Sequence, residues 1–600
     1  MKVEIIFIIL FVFSNSLFSE DIETITFSKD GITTSGDGAE ISGTEVKIKK
    51  PKTYKITGYK EEGNVVITTS NVEIILSNLI LFSEITAPLI VNSNLNNIRI
   101  ITESTSILKD SEDYQTSKGE KSVIKIKKNS IVYFQNKAEL ILYGECGTAI
   151  KGSSNSSLIF EKSEGKYTIN SNKSAINSES YLEFNGGNFD ITSGGDGIVA
   201  EPDAGDEIGL GKIFIKDGNF VVKSKGDGFS ANKNITIING KFRIKTENGY
   251  DIETFDPDTD SAKGLKIKSN ETGSGMMIIN ANMEINAADD GIHSKRDLTI
   301  KRGKYIIHSG DDGVHAGYDL IIGEKDAPNT RLNLSVFFSY EALEAMTITI
   351  YSGKIIATST DDGINASGGN GGDDPGPGPG PGPGPWNRTF HLRRNDTPPG
   401  PDPGPGPRPR PGPRGNASYY ITIYSGEIYV FCDGDGIDSN GNIFIHGGNI
   451  TIFSQGNRDN EPIDHDGNFT LFNADILGVG SRGMEKVHEG IQFGNEMYAY
   501  YDKDITKRKF LKIINDKGEI IRDEYINKDI NYIFYTSLNL NSNYTFYIRE
   551  GDNETKLNMT FGKPKEKDDD DKGGSDENIG NYLHNRFIGL ITICLILVLF

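Results

Sequence analysis

The chain is poor in cysteine, tryptophan and positive charge, and each shortage closes a class of explanation. Three cysteines in 600 residues cannot staple a disulfide scaffold. With Cys594 in an apolar tail, Cys146 and Cys432 remain as one candidate disulfide. A lone tryptophan, Trp386, leaves no series of indole platforms for stacking on sugars. A net charge of −21 excludes a generic nucleic-acid binder. No long amphipathic helical pattern occurs, and the apolar run Phe587–Phe600 is short for a membrane-spanning helix, which needs about 20 residues.

What the chain has is glycine, 69 residues of it, with abundant Ile, Thr, Asn and Ser, the composition of an all-β extracellular chain. A short acidic tag recurs six times, as GDGI at 195–198, GDGF at 226–229, DDGI at 289–292, DDGV at 311–314, DDGI at 361–364 and GDGI at 434–437. The Asp before the glycine is common to all: Asp196, Asp227, Asp290, Asp312, Asp362 and Asp435. Asp290 and Asp312 lie 22 residues apart, and Glu341 lies 21 before Asp362 as a variant tag. Tyr250 to Ile252 reads as another variant, 23 after Asp227. Ser174 precedes Asp196 by 22, and Glu461 follows Asp435 by 26.

Self-similarity at this period marks a stacked array of strands and turns. The copies are followed by alternating apolar runs around a Gly turn, as in Leu298–Ile307, Ile348–Ala357 and Ile443–Ile452, the pattern of half-buried strands. Stacked copies would place equivalent aspartates roughly 4.8 Å apart. At an effective dielectric of about 20, each ionised pair then repels by about 3 kcal/mol, so a cation is expected among them. Oxygen donors in excess suit Ca²⁺, and a carboxylate column with no pair of histidines and no Cys partner is poor for zinc. Candidate metal ligands are Asp196, Asp227, Asp289, Asp290, Asp311, Asp312, Asp361, Asp362, Asp433 and Asp435. Three residues beyond the acids runs a second polar column, Ser230, His293, His315, Glu344, Asn365 and Asp438. Of these, His293, His315, Glu344, Asn365 and Asp438 are the candidate ligand-binding residues. Against these roles, Asp-Gly is ordinary turn chemistry, and each histidine taken alone fits a structural position.

The ends and composition shifts divide the chain. Residues 1–19 read as a secretory signal, 20–145 as less regular β coils without the tag, and 146–500 as the tagged array. A Pro-Gly insertion at 368–417, which contains Trp386, cannot pack a core. A small β cap is expected at 501–560, a charged stalk at 561–586 and a hydrophobic tail at 587–600. The tail with Gly573–Ser575 and a polar spacer before it fits a GPI-type anchor signal, with a short membrane segment as the alternative. Both readings place a monomeric body outside the cell and tether it to the membrane. Asn234, Asn387 and Asn543 lie in glycosylation sequons.

The run Gly434–Gly448, the tags Asp289–Ser294 and Asp361–Ser367, and Ile463–Gly467 resemble a family of carbohydrate-binding domain-containing proteins of anaerobic plant-polysaccharide degraders. That resemblance covers roughly 140 to 550. It implies a right-handed parallel β-helix, or solenoid, that binds calcium through carboxylates of the tags and attaches to cellulosic or acidic, pectin-type polysaccharide. The expected function is a non-catalytic, lectin-like surface protein that uses Ca²⁺ to hold polysaccharide. Two alternatives remain at this point. One is a calcium-dependent polysaccharide lyase, with Lys295 or Arg296 as base. The other is a structural surface spike that uses calcium for rigidity.

Overall fold

A computed structural model of the chain describes residues 22–112, 120–202, 210–250, 261–367, 419–454, 460–483, 487, 491–493 and 497–563. The signal, insertion and tail segments of the sequence reading lie outside these residues, as does the stalk beyond residue 563; Phe561 and Gly562, read as its start, belong to the strand Thr560–Gly562 paired with Tyr498–Tyr501. The described chain is almost all β, with one single-turn 3-10 helix at Asn329–Arg331. No described helix is long and apolar enough to cross a membrane.

Strand patterns explain the packing. Asn219–Ser224 and Lys241–Thr246 alternate strictly between exposed and buried residues, so one face of each enters a shared core and the other meets solvent. Through the middle of the chain each strand pairs in parallel with its equivalent three strands later. Asn188–Ser193 pairs with Asn219–Ser224, Ile198–Ala200 with Phe229–Ala231, and Lys212–Ile215 with Asn234–Ile237. Three ladders therefore rise side by side, and one pass through all three forms a rung. Further along, Val314–Ile322 and Leu343–Ile350 each fuse two strands of a rung into one.

Inside, like residues stack on like. The rings of Tyr167, Phe189, Phe220 and Phe242 follow one another at 4.7, 4.8 and 5.1 Å and lie within 5° of parallel. Below each tag the residues Ile198, Phe229, Leu265, Ile292, Val314, Leu343, Ile364, Ile437 and Ile463 are all buried. At about 25 cal/mol per Å² of apolar surface, such continuous burial is the main stabilising term.

The ladders cross residue 145 without a break, since Ser106–Lys109 pairs with Leu140–Gly144 and Ser122–Ile126 with Thr148–Gly152. Antiparallel pairing is confined to the ends. Near the start, Glu23–Phe27 pairs with Ile32–Thr34 and Ala39–Ser42 with Glu45–Ile48. At the far end, Phe469–Gly480 pairs antiparallel with Tyr532–Thr536. There a separate sheet of Lys509–Ile514, Ile520–Ile526, Thr545–Glu550 and Asn553–Leu557 packs Leu511, Ile513 and Phe546 against Leu477 and Val479. It covers the last rung, whose open edge would otherwise invite pairing with another chain.

Two expectations are corrected. Cys146 and Cys432 form no disulfide; Cys432 is buried with its thiol toward the Asp435 carbonyl oxygen at 3.3 Å. Tyr250 is not a rung of the tag column. The strand between Phe229–Ala231 and Ile292–Ser294 is Leu265–Ile267, so Lys263-Gly264 occupies the tag position, and Tyr250 instead stacks on His308 at 5.2 Å. Backbone pairing, rather than residue count, sets the register there.

Candidate metal centre

The tag lies in the turn between the first strand of a rung and its three-residue second strand. Its glycine lets successive turns approach closely. A Cβ on Gly228 would lie 2.6 Å from the Gly264 carbonyl oxygen and 2.6 Å from Ile244 Cγ2, too close for any side chain in a packed interior. The rung-to-rung bond is the same down the column: Gly197 N–H donates to the Asp227 carbonyl oxygen, Gly228 to Lys263, Gly264 to Asp290, Gly291 to Asp312, Gly313 to Glu341, Gly363 to Asp435 and Gly436 to Glu461. The predicted aspartates Asp196, Asp227, Asp290, Asp312, Asp362 and Asp435 therefore stand in one register, with Glu341 and Glu461 completing it.

The side chains bond along the column as well. Asp196 Oδ1 accepts from Asp227 N–H at 2.7 Å, Asp290 Oδ1 from Asp312 N–H at 3.0 Å, Asp312 Oδ1 from Glu341 N–H at 3.2 Å, and Asp362 Oδ1 from Asp435 N–H at 2.6 Å. One carboxylate oxygen of each is thus committed to the backbone of the next rung. The other remains for a neighbour or an ion.

What that oxygen meets divides the column into three stretches. In the first, lysines supply the positive charge. Lys263 Nζ lies 2.7 Å from Asp289 Oδ1 and 2.6 Å from Asp290 Oδ2, and Lys266 Nζ lies 3.2 Å from Asp227 Oδ2. Burial opposes the charge on Lys263, but Asp290 and Asp289 push its pKa up. Burial likewise works against Asp290, yet Lys263 and His293 hold its carboxyl well below the ordinary range. Asp289 is pushed up to about 6 by burial and by Asp290. The oxygens of Asp289, Asp290 and Asp311 still converge, with one ligand atom from each within 4.8 Å of the others.

The second stretch contains the histidines. His293 Nδ1 lies 2.6 Å from Asp290 Oδ2, and its ring stacks on His315 at 4.7 Å. Burial pushes the His293 pKa down to about 4, so the ring is neutral. Nδ1 then carries the proton toward Asp290, and Nε2, which is buried without a partner, offers a lone pair. His315 is the opposite case. Its Nδ1 lies 3.0 Å from Asp312 Oδ2 and 2.6 Å from Glu344 Oε2. Burial works against its charge, but Glu344 and Asp312 raise its pKa well above the ordinary value. Asp312, His315 and Glu344 form the other convergent group within 4.8 Å. Stacking brings the second polar column against the first, so one histidine joins a convergent group while the other convergent group holds carboxylates alone.

The third stretch has acids and little to neutralise them. Burial and the adjacent Asp361 push Asp362 up to about 7, and burial and Asp362 push Asp435 up to about 8. Asp438 is raised well above the ordinary carboxylate range by burial and by Asp362 and Asp435. Among the described residues, no Lys or Arg pairs with Asp362, Asp435 or Asp438. Asp433 is drawn aside to Lys528 of the cap. Asp361 accepts a hydrogen bond from its own neighbourhood rather than converging with the two groups above, and Asn365 donates to Glu341 Oε1 at 2.9 Å.

The second column is otherwise as expected, running Ser230, Lys266, His293, His315, Glu344, Asn365, Asp438 and Asp464 in register. Sequence reasoning missed Lys263 and Lys266. Their signal is the Gly264-Leu265 pair, which repeats the glycine and apolar residue of a tag without its acid. The proposed bases Lys295 and Arg296 stand after the three-residue strand rather than in the tag turn before it, and the Arg296 guanidinium stacks 3.7 Å over the Tyr318 ring.

Oxygen donors close enough to share one hard cation occur at Asp289–Asp290–Asp311, and the third stretch adds half-buried carboxylates with raised pKa values. In the first of these the Lys263 ammonium already stands where a cation would. The mixed set of Asp312, His315 and Glu344 has the nitrogen that a borderline metal prefers.

A family model described as "Carbohydrate-binding domain-containing protein" matches residues 42–313. No curated protein matches the chain. Among solved structures, the chain is similar to a "polysaccharide lyase-like protein from C. thermocellum", a gadolinium derivative, at 18% identity and a TM-score of 0.35, over 44% of this chain and 97% of that one.

Proposed function

We propose that this chain is a non-catalytic, calcium-dependent carbohydrate-binding protein of the cell surface, a right-handed parallel β-helix directed at acidic pectin-type or cellulosic polysaccharide. The observation that carries this reading is the third stretch of the column, where Asp362, Asp435 and Asp438 stand half-buried with raised pKa values and no ammonium or guanidinium pairs with them among the described residues. Such a group is costly as anions unless a cation is present. Asp362, Asp435 and Asp438 would hold the ion, and Asp289, Asp290 and Asp311 would hold a second if Lys263 moved aside. Calcium bound there would supply charge that bridges the acidic column to sugar hydroxyls or uronate carboxylates. The carbohydrate-binding family match over 42–313 supports the polymer as partner. Residues 1–19 would direct export and 587–600 would tether the body.

The lyase reading needs a base beside the ion, near its neutral form at working pH. Lys263 lies 2.6 Å from Asp290 and is held protonated by Asp290 and Asp289, the opposite of that requirement, and of the basic groups beside these carboxylates the neutral His293 ring is the one that meets it.

The test is co-sedimentation of the full chain with polygalacturonate and with cellulose, in calcium and in chelator, with assay of the supernatant for unsaturated sugars. At a salt concentration that screens exposed charges, a component of binding that needs calcium and leaves no product is expected. Unsaturated product would establish the lyase instead. Binding to neither polymer in calcium would leave the column a structural device.

A further inference from the structure

On the outer face of the first ladder, one position is occupied by Lys or Asn on eight successive rungs. The register runs Lys166, Asn188, Asn219, Lys241, Asn282, Lys304, Asn333 and Lys354, and reaches an acid only at Glu427. From Asn219 to Lys354 all of these residues are exposed. At strand spacing the column is about 34 Å long. In a chain with a net charge of −21, eight rungs of Lys and Asn with no acid at this position form a local exception, although its end members Lys166 and Lys354 pair with Asp190 and Glu427.

Neighbouring residues add to it. Lys223 and Lys245 are directly opposed on adjacent strands, and Val221 is opposed to Arg243. Like charges placed opposite each other destabilise a sheet. Arg243 is answered by Glu284 at 3.1 Å, but no described carboxylate forms an ion pair with Lys223, Lys241, Lys245 or Lys304. A groove of about 380 Å³ lies over this patch, lined by Lys241, Arg243 and Lys304, by the single carboxylate Glu284 that answers Arg243, and by the apolar Val221 and Ile306. It adjoins a polar groove of about 370 Å³ at the glycine turns Gly187, Gly218 and Gly240. The two share Asn219, Lys241 and Asn282.

We propose that this Lys and Asn column, with Lys223, Lys245 and Arg243 beside it, is a second glycan-binding surface that takes an anionic polysaccharide lengthwise along the stacked rungs without any metal ion. The proposal rests on the carbohydrate-binding reading above but not on its calcium. Ammonium groups answer the carboxylates or sulfates of the polymer, amides answer its hydroxyls, and the apolar Val221 and Ile306 take the C–H faces of the sugar rings. A linear polymer matches the column because both present their groups at regular intervals along one line. The acidic tag turns belong to a different part of each rung, so the two surfaces can be lost separately.

The test uses the full chain and polygalacturonate in chelator, with binding measured across a salt series. The wild type is expected to bind at low ionic strength and to lose binding as salt rises, because exposed ion contacts are screened. Replacing Lys223, Lys241, Lys245 and Lys304 together by Glu should weaken this binding by about tenfold or more. The corresponding Gln set should weaken it less, and the Arg set should retain it. If the Glu variant does not fold, the Gln and Arg sets give the same comparison. Polygalacturonate binding in chelator that is absent in the wild type, or equal in the wild type and the Gln set, would overturn the proposal. So would retention of duplex DNA or phosphatidylserine vesicles without retention of polygalacturonate. Loss of the calcium-dependent component with the chelator-resistant one intact would refute the proposed function and leave this surface standing.

Discussion

The acidic column and the Lys and Asn column rise on the same rungs at the same spacing, yet the first is buried through its middle rungs and the second is exposed. Asp227, Asp289, Asp290 and Asp312 are at most 7% exposed, so their charge must be met inside the protein by Lys263, by His315 or by a bound ion. Lys241 and Lys304 project into water, where like charges at strand spacing cost little and remain available to a partner. Stacking turns a local residue choice into a line of identical groups, and burial decides whether that line needs a cation or can recruit an anion.

The sharpest way to break the comparison is to remove the internal cation. Lys263→Met leaves Asp289 and Asp290 buried without their ammonium and should cost about 3–5 kcal/mol in chelator, measured by denaturant unfolding. Excess calcium should recover part of this loss by occupying the vacated position.

A second effect is set by pH. The folded pKa values of Asp196 and Asp289 are about 6, those of Asp311 and Asp362 about 7 and that of Asp435 about 8, against an ordinary 3.8, through burial first and neighbouring carboxylates next. The folded state therefore binds more protons than the unfolded state between those limits, so stability in chelator should fall as pH rises from about 4 to about 8. His293, lowered to about 4, opposes this only in the lower half of the window. Thermal melting across pH checks the sign, and stability that rises with pH over that range would contradict it.

Gly228→Ala should cost about 1–3 kcal/mol, because the added methyl meets the Gly264 carbonyl and Ile244. The smallest effect is expected on the exposed column. Replacing Lys241 and Lys304 by Gln should change stability by less than about 0.5 kcal/mol while altering polymer binding, the reverse of the Lys263 result.

Much of this was legible in the sequence because alternation and the tag report directly on stacking. The all-β class, the register of the six aspartates and the rungs at Ser174, Glu341 and Glu461 follow from spacing alone. The rung at Lys263 did not, since 36 residues separate it from Asp227 and 27 from Asp290, and a longer excursion of the chain defeats a period. The histidine contacts were half legible. His293 and His315 were placed in register, but their approach to Asp290, Asp312 and Glu344 depends on how the turn folds back. The exposed column was hidden for the same reason as Lys263, because residues contributed by eight separate strands line up only once every insertion between them is known. An outward stack of Tyr351, Tyr424, His446 and Phe472, at 5.1, 4.9 and 5.0 Å, was likewise invisible to a search for aromatic platforms.

The most direct test of the central claim is thermal unfolding of the full chain at about pH 8, in chelator and in excess calcium, for the wild type and for Asp435→Asn. If the acids of the column are a hard-cation site, calcium should raise the wild-type melting temperature clearly and raise that of the variant much less. A melting temperature indifferent to calcium, or an equal rise in both proteins, would show that the column is held by its own hydrogen bonds and protons alone.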